Sequence, residues 1–128
     1  MRLWWGPSDE DAASFASIDK LMERLKDLDR TSNARPIMVD VIADDGSVVS
    51  VGVGAGISVL THMNADQNPP YLTSRSGDPA SEETLWFDYG GSETEFLPEA
   101  LLGKDAAFSL VRDFLERGDI SSVQWKEE

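Results

Sequence analysis

Two β-branched runs, Ile37–Ala43 and Val48–Val53, flank the tetrapeptide Asp44-Asp45-Gly46-Ser47. Branched side chains suit a pleated surface, and Asp and Gly suit a tight turn, so this segment is committed to a β-hairpin. A third run, Ile57–Met63, follows Gly54-Ala55-Gly56 and extends the meander. Tyr71–Arg75 predicts a short strand, and the alternating, aromatic Thr84–Tyr89 predicts another. Arg2–Trp5 reads as an edge strand and Val123-Gln124-Trp125 as a closing one. Ile18, Leu21, Met22, Leu25 and Leu28 recur at helical spacing behind Ser17, a good N-cap, which predicts a helix over 17–30. Ala107, Leu110, Val111, Phe114 and Leu115 mark a second helix that begins within Pro98–Asp105 and ends at Gly118. Ser76–Glu83 reads as loop, as does the segment opened by Gly90-Gly91-Ser92, which carries Glu93, Glu95 and Phe96. The order β-α-βββ-ββ-α-β over residues 1–128 predicts one α+β domain, a mainly antiparallel sheet of about six to seven strands with two helices packed on it.

Charge is distributed unevenly over this framework. From Ser76 to Gly103 there are seven carboxylates (Asp78, Glu82, Glu83, Asp88, Glu93, Glu95 and Glu99) and no lysine or arginine. Trp86, Phe87, Tyr89 and Phe96 lie in the same stretch. Residues 36–103 hold eleven acids against Arg75, so they carry −10 of the chain's net −13. Like charges repel and oppose compaction, so the imbalance is either a well-solvated face or a surface that meets a basic partner. It argues against direct binding of nucleic acid, whose phosphates need lysine and arginine. It also predicts a monomer when free. With no cysteine, disulfides, thiolate metal sites and thiol nucleophiles are excluded. No apolar run reaches the ~20 residues of a membrane span or the length of a signal peptide core, and the expected location is the cytoplasm.

The motifs for enzymatic chemistry are sparse. His62 is the only histidine; Ser58 and Asp66 are its nearest serine and acid, and nothing resembles a nucleophile elbow. A metal site would have to combine His62 with carboxylates alone, and no cofactor or metal is expected. Asp44-Asp45-Gly46 lacks the alternating ligands of a calcium loop. Gly52-Val53-Gly54-Ala55-Gly56 leads into a strand rather than a helix, so its glycines read as a bulge or turn rather than a phosphate cradle. A carboxylate pair drawn from Asp88, Glu93 and Glu95 stays open as an acid-base site, which would make the chain a small acidic hydrolase or ligand-binding domain.

The last third carries the most specific pattern. Leu85-Trp86-Phe87-Asp88-Tyr89 enters Gly90-Gly91-Ser92-Glu93-Thr94-Glu95-Phe96, then Pro98, then an alanine-rich helix ending at Gly118, then Val123-Gln124-Trp125. This resembles the Imm1 family of bacterial immunity proteins. Upstream, Gly52, Gly54, Ser58-Val59-Leu60, Pro70-Tyr71 and Gly77 agree with that likeness, which covers about residues 15–125. The family loop runs Ser-Glu-Phe-Pro without interruption; Thr94-Glu95 intervenes here, so either Glu93 or Glu95 matches its acid. The helix end, Arg117-Gly118-Asp119, keeps the family's Gly and lacks its Arg-Pro, and no role is carried onto it.

The resemblance implies a non-enzymatic partner of a polymorphic toxin, binding the toxin domain in the producing cell, with toxins that include nucleic-acid deaminases and nucleases. Such toxins need basic substrate clefts. Carboxylates complement a basic cleft, and aromatic rings supply buried anchors. The expected contacts are Glu82, Glu83, Trp86, Asp88, Tyr89, Glu93, Glu95 and Phe96. Trp86 and Phe87 alternate along one strand, so one is expected to face inward and the other outward.

Overall fold

A computed structural model describes residues 1–128. In chain order the elements are β1 (Arg2–Trp4), β2 (Ala12–Ser14), α1 (Ile18–Thr31), β3 (Ile37–Ile42), β4 (Val48–Val53), β5 (Ile57–Ser58) and β6 (Leu60–Met63). There follow β7 (Leu72–Arg75), β8 (Leu85–Tyr89), β9 (Ser92–Phe96), a 3-10 turn at Pro98–Ala100, β10 (Leu102–Gly103), α2 (Lys104–Arg117) and β11 (Gln124–Glu127). The α+β reading is correct, with two helices on a mostly antiparallel sheet. Three details differ. The short strands β2 and β10 were not expected. The run Ile57–Met63 is two strands, broken where the Val59 carbonyl accepts the Gly52 N–H at 2.9 Å. The second helix starts at Lys104, inside the expected Pro98–Asp105 interval and after the 3-10 turn. The segment expected as a loop carrying Glu93, Glu95 and Phe96 is strand β9.

The main sheet runs β11-β7-β6-β4-β3-β1-β2, with the β8–β9 hairpin attached to β3 through a single parallel pairing, Ile37 with Asp88. Alternation along β3 and β4 separates two faces. Val39, Val41, Val49, Val51 and Val53 point to the helices and pack with Leu21, Leu25, Leu110, Val111 and Phe114 in the larger core. Ser17 caps α1 by accepting the Lys20 N–H. On the reverse face Met38 pairs with Gly52 and Asp40 with Ser50. There a second, smaller core forms from Met38, Val59, Phe87, Phe96, Ala100 and Leu101. The Phe87 ring lies against Gly52, where a Cβ would come within 2.7 Å of it, so the absence of a side chain at 52 lets the hairpin close. No helix is long and apolar enough to cross a membrane.

His62 lies on the helix face of β6, with ring centroids 6.2 Å from Phe114 and 6.1 Å from Trp125. Its Nδ1 is buried without a partner. Burial holds the imidazole below its usual pKa of 6.5, against a weaker opposing pull from Asp45. The unfolded chain, titrating normally, then binds more protons than the native one just below 6.5, so stability rises with pH across that window. Acidification from pH 7.5 through 6.5 is expected to lower the urea midpoint. The loss levels off once pH falls past the native pKa. In a His62→Gln variant this part of the pH dependence disappears.

Candidate functional site: the β8–β9 hairpin

Gly90 and Gly91 both adopt positive φ, 60° and 93°, and form the two-residue turn that joins β8 to β9. Such a turn matches the strand twist and fixes the register. Trp86 stands opposite Glu95, Asp88 opposite Glu93, and Phe87 opposite Thr94. Directly opposed residues share a face. One face of the hairpin therefore holds Trp86, Asp88, Glu93 and Glu95, and the other holds Leu85, Phe87, Tyr89, Thr94 and Phe96.

The inner face fixes the hairpin to the sheet. Phe87 is fully buried and Phe96 nearly so, their rings edge-to-face at 6.0 Å. The Tyr89 hydroxyl donates to Asp40 Oδ1 at 2.6 Å, and Ser50 Oγ donates to the same oxygen at 2.5 Å. Burial, with the adjacent Asp40 carboxylate, pushes the phenol's pKa well above its ordinary value, so Tyr89 stays a neutral donor. At the turn, the Trp4 ring fills the space next to Gly90, where a Cβ would approach it to 2.9 Å.

The outer face is open. Trp86 is 52% exposed, the most exposed large apolar side chain in the protein, and Glu93 and Glu95 are exposed beside it. Asp88 is mostly buried; its Oδ2 pairs with Arg35 Nε at 3.3 Å, and its Oδ1 has no partner. Trp86, Asp88, Glu93, Arg35 and Pro36 border a shallow depression of about 260 Å³. Of the seven carboxylates between Ser76 and Gly103, Asp88 alone forms an internal ion pair. The chain's own cations thus leave the other six free.

The structure therefore gathers Trp86, Asp88, Glu93 and Glu95 onto one surface. It places Tyr89 and Phe96 beneath that surface, as its supports. Glu82 and Glu83 are exposed in the loop that leads into β8, where Ser81 Oγ accepts the Glu83 N–H at 3.0 Å. The alternation argument is correct for Trp86 and Phe87: the first faces out and the second in. Sequence reasoning missed Arg35 and the Asp40–Ser50 pair. Asp40 and Ser50 could have been noticed, since each interrupts a run of branched apolar residues; nothing local marks Arg35. No three His, Asp or Glu side chains converge as a metal ion would require.

The class these features define is a small α+β protein whose charged, ring-bearing hairpin lies open to other molecules instead of lining a cleft. The family model of immunity protein Imm1 matches residues 6–127, and the chain belongs to that family. No curated protein matches it in sequence.

Proposed function

We propose that this chain neutralises a cognate toxin domain by laying the outer face of the β8–β9 hairpin against a basic cleft, in the cytoplasm of the cell that makes both. The observation that carries this reading is the grouping of exposed Trp86 with unpaired Glu93 and Glu95 on one pinned face. Carboxylates without internal partners retain their full field for steering, and an exposed indole is an anchor that gains most by burial. The toxin's basic cleft is the one that serves nucleic-acid substrates, as in a deaminase or nuclease. Glu82 and Glu83 extend the acidic rim. The protein acts by occupation, without chemistry of its own, and it is a monomer until it meets the toxin.

A hydrolase using a carboxylate pair would need two acids enclosed together. Asp88 is engaged by Arg35, while Glu93 and Glu95 stand in solvent, which favours binding over catalysis.

The test is to mix the protein with its cognate toxin domain, sought as a basic C-terminal domain of a large secreted protein in the neighbouring reading frame. A stoichiometric complex in which toxin activity is abolished is the expected result; activity that survives an excess of this protein would refute the proposal. Charge reversal at both positions, Glu93→Lys with Glu95→Lys, is expected to slow association by roughly tenfold or more at low salt and to flatten its salt dependence, as read by stopped-flow fluorescence.

A further inference from the structure

Strand β9 pairs with β8 and with no other strand, so its second edge is free. The turn dictates which backbone groups point there. A two-residue hairpin turn makes Tyr89 and Ser92 a hydrogen-bonded pair, and bonded and non-bonded pairs alternate beyond it. Phe87 with Thr94 and Leu85 with Phe96 are then bonded pairs; Asp88 with Glu93 and Trp86 with Glu95 are not. The Asp88 N–H obeys this pattern, turning away from β9 to the Pro36 carbonyl at 2.9 Å. By the same alternation the amides and carbonyls of Glu93 and Glu95 project from the free edge, and neither residue has a backbone partner there.

Open edges invite pairing, and proteins guard them with charge. The guards here are carboxylates. A second copy of this chain would bring Glu93 and Glu95 against themselves, whereas a strand bearing lysine or arginine would be drawn in. Beside this edge, between β9 and strands β7 and β11, runs a groove of about 370 Å³ bordered by Thr73, Thr94, Phe96 and Leu97. Leu97, 51% exposed, stands at its lip. Glu95, Glu99, Glu127 and Glu128 outnumber Arg75 and Lys126 around it.

We propose that the free edge of β9 receives an extended, lysine- or arginine-bearing segment of the toxin as an added strand. Its alternate side chains meet Glu93 and Glu95 on one face and enter the groove beside Thr94 and Phe96 on the other. This rests on the toxin-binding reading above, but it is a separate claim, since a hairpin face can dock through side chains alone.

The experiment is amide hydrogen exchange, read by NMR on the full chain, free and bound to the cognate toxin domain identified by the test above. In the free protein the Thr94 amide is expected to be protected and those of Glu93 and Glu95 to exchange freely. In the complex both are expected to slow by at least roughly tenfold, as two new hydrogen bonds require. A complex that forms while both amides keep their free rates overturns the added strand and leaves the binding function intact. If no complex forms, the functional reading fails and takes this inference with it. Glu95→Pro removes the outward N–H without touching the ladder to β8, and Thr94 protection reports whether the hairpin survives. It is expected to weaken the complex roughly fivefold beyond Glu95→Ala; equal losses in the two variants would also refute strand addition.

Discussion

Trp86→Ala is expected to weaken the toxin complex by at least about 2 kcal/mol, roughly thirtyfold in Kd, with most of the change in the dissociation rate. The free protein should barely notice the substitution. Half of the indole already lies in water, and the buried side of the strand is held by Phe87 and Tyr89. Titration calorimetry and thermal melts on the same preparations separate the two effects. A thirtyfold loss with the melting temperature unchanged is the expected pattern. Unchanged affinity would remove Trp86 from the interface. An equally large fall in stability would mean that the ring supports the fold instead. Charge reversal at Glu93 and Glu95 should act mainly on the association rate, so the two kinds of variant probe different stages of one encounter.

Gly54→Ala is expected to destabilise the native state by about 3 kcal/mol, enough to lower the melting temperature by roughly 10 °C or more. Gly54 has φ +96°, a conformation that costs any residue with a Cβ. The added Cβ would also overlap the backbone carbonyl of Ser32, which no side-chain rotation can relieve. The same residue joins three elements. Its N–H donates to Asp29 Oδ1 at 2.8 Å, and Asp29 Oδ2 accepts Lys104 Nζ at 2.9 Å, so α1, the end of β4 and the start of α2 meet there. Gly56→Ala is the control. Its φ is also positive, +75°, but nothing lies within 4 Å of the new atom. It should cost only about 1 kcal/mol, the price of the backbone angle. Equal losses in the two variants, measured by urea unfolding, would show that the contact with Ser32 contributes nothing.

Glycine spacing was legible as turn or bulge, but its specific causes were not. Gly52 makes room for a ring 35 positions along the chain, and Gly54 for a helix terminus that precedes it. Such reasons lie in tertiary approach, which no local window contains. The helix at 18–31 and the hairpin of β3 and β4 were plain, because each declares itself through its own period and its own punctuation. Strand β9 was missed for the opposite reason. Ser-Glu-Thr-Glu has low strand propensity, and only Phe96 is an apolar mark of the inward face. Gly90-Gly91 was the available signal, since a two-residue glycine turn between alternating segments predicts a hairpin. Ala12–Ser14 and Leu102–Gly103 are strands only because β1 and β5 stand beside them. For the candidate site, the composition of the surface was readable, whereas its division into an outer face and a supporting one needed the register that the turn imposes.

The contact of Tyr89 and Ser50 with a single oxygen of Asp40 bears on speed as well as shape. A binding element already fastened to its scaffold has little motional freedom left to surrender at encounter. On the proposed reading, neutralisation then proceeds at the pace of collision and not of rearrangement, as suits a safeguard that must arrive before the first turnover.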